Sequence, residues 1–169
     1  NPPLLFNLAE LQNVCSKLFK ISPDETLQVA QDLYERKLTT YPRTDARVLS
    51  TPVAKEIHKN ISRLRGYEPT SDFVEQILDR KLYGNIAGTQ YTDDAKVTDH
   101  YAIIPTGQLT ELGKLNALQK SVFDLTPIPP YFTILLLRSL EGTSFGISLS
   151  IIKFIVIYTV YQTKTMPYT

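Results

Sequence analysis

Ser22-Pro23-Asp24-Glu25 sets a helix start with little freedom. The serine can cap the helix, the proline is pre-set for its first turn, and the glutamate three residues on closes a capping box. Leu27, Ala30, Leu33 and Tyr34 then recur at helical spacing and define the expected buried face. The helix is expected to end near Lys37. Beyond it lie the β-branched pair Thr39-Thr40 and then Pro42, which pushes Tyr41 out of the α region. An amphipathic helix thus runs straight into a turn or short strand that presents a tyrosine.

The same periodicity predicts further helices. Leu8, Leu11, Cys15, Leu18 and Phe19 mark one over 7–19. Ser50-Thr51-Pro52 opens another, with Val53, Ile57, Ile61 and Leu64 inward and Gly66 as its stop. A fourth is expected over Asp72 to Leu82 and a last one over Lys114 to Leu125. Residues 84–99 read as an irregular loop, followed by His100 and a short apolar strand, Ala102-Ile103-Ile104. The fold class expected is mostly α with small β elements (α+β), arranged as a helix-turn-helix or winged-helix-like domain.

Composition narrows the function classes. A chain of 169 residues that is 43% hydrophobic and 21% charged can bury an ordinary core. The formal net charge is +1, so any contact with nucleic acid rests on a local patch or a partner domain. The single cysteine, Cys15, excludes an internal disulfide and a cysteine-based zinc site, and it falls on the apolar phase of its helix. No Gly-x-x-x-x-Gly-Lys-Ser/Thr loop occurs, so ATP is not bound in that manner. The opening Asn-Pro-Pro shows no signal peptide and reads as a cut inside a longer, cytoplasmic protein.

Leu38 to Arg47 carries the chemistry: Leu-Thr-Thr-Tyr-Pro-Arg-Thr-Asp-Ala-Arg. A phenol is a poor nucleophile at neutral pH because it stays protonated. A guanidinium two residues away supplies positive charge for the oxygens of a reacting phosphate. Tyr41 and Arg43 can therefore make and stabilise a phosphotyrosine. The competing reading is a solvated loop with a Tyr-Pro turn.

The run Leu-Thr-Thr-Tyr-Pro-Arg-Thr-Asp resembles the active-site segment of type IA DNA topoisomerases, above all the topoisomerase III branch. Asp99-His100-Tyr101-Ala102-Ile103-Ile104-Pro105-Thr106 is similar to that family's His-x-Ala-Ile-x-Pro-Thr segment. Pro2-Pro3-Leu4-Leu5 with Leu11-Gln12 resembles the family's lead-in, so the resemblance covers residues 1–126. It implies that the intact protein cleaves one DNA strand through a 5′-phosphotyrosine, passes a strand and religates without ATP. Tyr41 would be the nucleophile, Arg43 the phosphate clamp, and His100 a phosphate ligand or proton carrier. Thr44 and Asp45 would hold Tyr41 and Arg43 in place at the DNA, and Arg47 and Lys96 would contact flanking phosphates. The family binds Mg2+ through an acidic cluster in a separate N-terminal domain. Asp93-Asp94 has no third ligand, so the metal is expected outside this chain, and the chain alone is expected not to cleave. The implied partners are single-stranded DNA and that metal-binding domain, with no membrane. The alternative is a winged-helix DNA-binding module whose tyrosine is structural. Tyrosine recombinases and relaxases require histidine and arginine orders that are absent here.

From Thr126 the text changes to Pro-Ile-Pro-Pro and two apolar, β-branched runs, Tyr131 to Leu140 and Ile147 to Tyr161. The second run is short for a membrane span and Lys153 interrupts it. A β-hairpin closed by Glu141-Gly142-Thr143-Ser144 is the better reading. Residues 127–169 are thus expected to form a divergent β-rich tail that departs from the family pattern.

Overall fold

The computed structural model describes residues 4–126. The expected tail hairpin and the boundary after residue 126 lie outside them. Five α-helices are present among the described residues: α1 (Leu8–Phe19), α2 (Pro23–Glu35), α3 (Thr51–Arg63), α4 (Ser71–Asp79) and α5 (Ala117–Leu125). The mostly helical expectation holds. None of these helices is long and apolar enough to cross a membrane.

The local signals act as their chemistry requires. Ser22 and Glu25 close a full capping box on α2, and Asn116 with Gln119 closes a second on α5. Asn7 caps α1 by accepting from the Glu10 amide, while its own amide group donates to the Asp45 carbonyl at 3.1 Å. Ser50 makes no side-chain cap on α3. The Asp94 carboxylate does so, accepting from the Thr51 amide and hydroxyl, each at 2.7 Å.

Several expectations need correction. The buried face of α2 is Thr26, Val29, Ala30 and Leu33, one step round from the anticipated set, and Tyr34 stands 39% exposed. The fourth helix ends at Asp79 instead of Leu82, and α5 begins at Ala117 instead of Lys114. Residues 84–99 are more ordered than an irregular loop, with 3-10 turns at Leu82–Gly88 and Asp94–Lys96. The short strand at 102–104 reduces to isolated bridges: Phe6 with Ile103 and Thr39 with Pro105, both antiparallel.

The core has two clusters, and the extended run 102–104 divides them. Ala102 and Ile104 point into a cluster with Leu49, Ala54, Ile57, Ile61 and Val74. Ile103, between them, points the opposite way, towards Leu11, Cys15, Leu33, Leu38 and Phe123. This is the period-2 alternation of extended backbone, with both faces buried. Cys15 is fully buried, as its helical phase implies, and burial pushes its thiol up to about 12.

Candidate active site around Tyr41

The chain from Leu38 to Val48 is clamped between two others. On one side the Leu5 amide donates to the Arg47 carbonyl, and the Leu8 amide to the Thr44 carbonyl. On the other, the Thr40 amide donates to Ile104 O at 2.9 Å, the Thr106 amide to Leu38 O, and the Ala102 amide to Val48 O. Two threonine hydroxyls complete the clamp. Thr40 Oγ1 donates to Ala102 O at 3.0 Å and accepts from the Ile104 amide at 2.9 Å. Thr44 Oγ1 donates to His100 O at 2.7 Å and accepts from the Ala46 amide at 3.1 Å. Tyr41 sits between these threonines, so its backbone is held from both sides. Pro42 is buried behind it.

Fixing Thr44 to the His100 carbonyl brings two residues 59 positions apart in the sequence into ring contact. The Tyr41 and His100 rings lie 4.4 Å apart at 43°, and Tyr34 meets Tyr41 edge-on at 5.3 Å. The three rings line an open cleft of about 370 Å³. Its remaining wall is Lys37, Thr39, Thr40, Tyr101, Thr106 and Gln108. The cleft is thus rich in hydroxyl donors, with an imidazole beside a half-buried phenol.

The other anticipated site residues divide into two groups. Arg43 and Asp45 are exposed, and neither lines the cleft. Thr44 is buried, with its hydroxyl committed to His100. Arg47 is half-buried: its guanidinium donates to Leu5 O at 2.9 Å and Leu4 O at 3.3 Å and pairs with Glu10 at 3.7 Å. Lys96 pairs with Asp93 at 2.9 Å. Sequence reasoning missed Tyr34, Lys37, Thr40, Thr106 and Gln108. Thr40 and Thr106, each inside one of the two family-like segments, carried a signal.

The acidic pair Asp93-Asp94 does not fit a magnesium ion. Asp94 accepts from Thr51, which holds its carboxyl below the ordinary range. Asp93 does the same through Lys96 and the Ala95 amide. Both carboxylates are engaged by donors of this chain, and among the described residues no third His, Cys, Asp or Glu joins them to complete a ligand set.

A family model described as DNA topoisomerase matches residues 1–127. This chain belongs to the DNA topoisomerase family. Within it the chain is of the type IA, topoisomerase III-like kind. DNA topoisomerase 3 of Bacillus subtilis is 42% identical over 126 residues, which cover 73% of this chain and 16% of the relative. The DNA topoisomerase 3 of Bacillus licheniformis is 41% identical over 124 residues, with the same shares. That of Bacillus cereus is 34% identical over 124 residues. This topoisomerase chain therefore spans 16% of the length of the curated relatives it matches, and the matched part includes the whole Tyr41 cleft.

Proposed function

We propose that this chain carries the nucleophilic tyrosine of a type IA DNA topoisomerase, with Tyr41 attacking a phosphodiester of single-stranded DNA. One observation carries the reading: the Tyr41 and His100 rings meet at 4.4 Å in a cleft open to solvent. A bond forms between Tyr41 Oη and the phosphorus, and the bond from phosphorus to the 3′-oxygen breaks. The phenol proton ends on that oxygen, giving a 5′-phosphotyrosine and a free 3′-hydroxyl. His100 carries the proton or donates to a phosphate oxygen. Religation reverses the step, so no ATP is consumed.

Arg43 offsets the phosphate charge once DNA is seated, turning in from its exposed position two residues after Tyr41. Thr44 and Asp45 support the loop, and Arg47 and Lys96 supply flanking charge in the same proposal. Mg2+ belongs to another domain of the intact enzyme, which this chain meets as a partner. The helices present the cleft in a helix-turn-helix or winged-helix-like manner. The intact protein then relaxes or unlinks DNA in the cytoplasm.

Ring packing around Tyr41 also favours a second reading, a DNA-binding module with a structural tyrosine. The proposal is tested first on the chain itself. A short single-stranded oligonucleotide should perturb the Tyr34, Tyr41 and His100 ring resonances in NMR spectra. Supercoiled plasmid should stay unrelaxed by the chain alone. Relaxation by the chain alone, or ring resonances blind to the oligonucleotide, contradicts the proposal.

A further inference from the structure

Lys37 closes a Schellman turn at the end of α2. Its amide donates to Tyr34 O at 2.8 Å, and the Leu38 amide donates to Leu33 O at 2.9 Å. Its φ is +60°, the left-handed region where glycine is the ordinary occupant of this turn. Lysine there carries a backbone cost that glycine avoids, as it also does at Lys20 (φ +59°) and Lys81 (φ +50°); of the three only Lys37 lines the cleft. The residue is also pinned to the cleft, because Thr106 Oγ1 donates to its carbonyl at 2.5 Å.

Charge makes the position informative. Lys37 and His100 are the basic residues of the cleft wall, and Lys37 forms no ion pair or side-chain hydrogen bond among the described residues. Three nearby cations are engaged elsewhere: Arg36 pairs with Glu111, Arg47 with Glu10 and two carbonyls, and Lys96 with Asp93, while Arg43 is exposed and does not line the cleft. Gln108 lines the same wall and offers a neutral donor.

We infer that Lys37 is a phosphate-binding residue of this cleft. Its ammonium, with the Gln108 carboxamide, holds the backbone phosphate next to the one presented to Tyr41. The inference rests on the proposed function and adds to it a positioning cation outside the recognised motifs. Lys37 makes and breaks no covalent bond; it acts as a point charge that sets the register of the strand.

The test uses the 169-residue chain and a fluorescent oligothymidylate, with anisotropy titrations over a salt series. Lys37→Gln should weaken binding about two- to fivefold and lower the salt slope by about 0.7, the value for one phosphate contact on a single strand. Lys37→Arg should retain affinity. Lys37→Gly is the decisive variant: it relieves the left-handed strain, so it should melt no lower than wild type and still bind as weakly as Lys37→Gln. Wild-type affinity and slope in both the Gln and Gly variants would overturn the inference and leave the role of Tyr41 standing. If the wild-type chain shows no salt-dependent binding of the oligonucleotide, both fall.

Discussion

Two hydroxyls decide where Tyr41 stands. Thr40 and Thr44 flank it, and each bonds to the backbone of the segment that carries His100. The Thr44 side chain is buried and its bond to the exposed His100 is part-buried, so removing the hydroxyl leaves the Ala46 amide without its acceptor inside the fold. Thr44→Val keeps the shape but orphans the His100 carbonyl and the Ala46 amide. It should cost about 1–3 kcal/mol of stability in a denaturant titration, and weaken the Tyr41–His100 ring contact seen by NMR. A loss well below that range would mean the hydroxyl does not hold the two rings together. It was the resemblance of two segments to family motifs that put Tyr41 and His100 forward as one site. The outward position of Arg43 was not legible, since it follows from Thr44 turning inward to a residue far along the chain.

At the scale of elements, what a few neighbouring residues determine was readable. Capping boxes and proline at the first turn act within one helical turn, and α2 begins where those residues say. The cap of α3 was hidden because its acceptor, Asp94, lies 43 residues away. That cap predicts a pH dependence. Thr51 depresses the Asp94 carboxyl, so its stabilising effect is present above the unfolded-state value and is lost as pH falls through the folded-state value. Asp94→Ala should melt below wild type at neutral pH in a calorimetric series, with the gap closing in acid. A gap independent of pH would contradict the carboxylate cap. The loop after Pro105 makes a second demand. Gly107 has φ +84°, and a Cβ there would meet Arg63 Cβ at 2.5 Å and Asn60 O at 2.9 Å. Asn60 also donates to Pro105 O at 3.1 Å, so α3 is the backing for the Thr106–Gln108 wall. Gly107→Ala should destabilise the fold by about 1–3 kcal/mol through overpacking. Chemical denaturation checks this, and an unchanged midpoint would contradict the close approach.

For the molecule as a whole, residues 102–104 join the two core clusters and also back the cleft. Apolar character along this run was evident, but its division between two cores requires knowing what lies on each face. Ile103 is 2% exposed and belongs to the cluster of Leu11, Leu33 and Phe123. Ile103→Ala should cost about 2–5 kcal/mol, as large-to-small core substitutions do. Because its neighbours Ala102 and Ile104 serve the other cluster, the loss should appear in one cooperative transition, whether followed by far-ultraviolet or aromatic signals. Separate transitions would mean the clusters are independent. The same arrangement makes the covalent chemistry of Tyr41 testable in a complete enzyme. Residues 1–126 can replace the matched, 42% identical stretch of Bacillus subtilis DNA topoisomerase 3. With Mg2+ and single-stranded DNA, mass spectrometry of the trapped adduct should place a 5′-phosphate on Tyr41, and Tyr41→Phe should abolish the adduct. A DNA adduct that persists in Tyr41→Phe, or that maps to any other residue, would contradict the account.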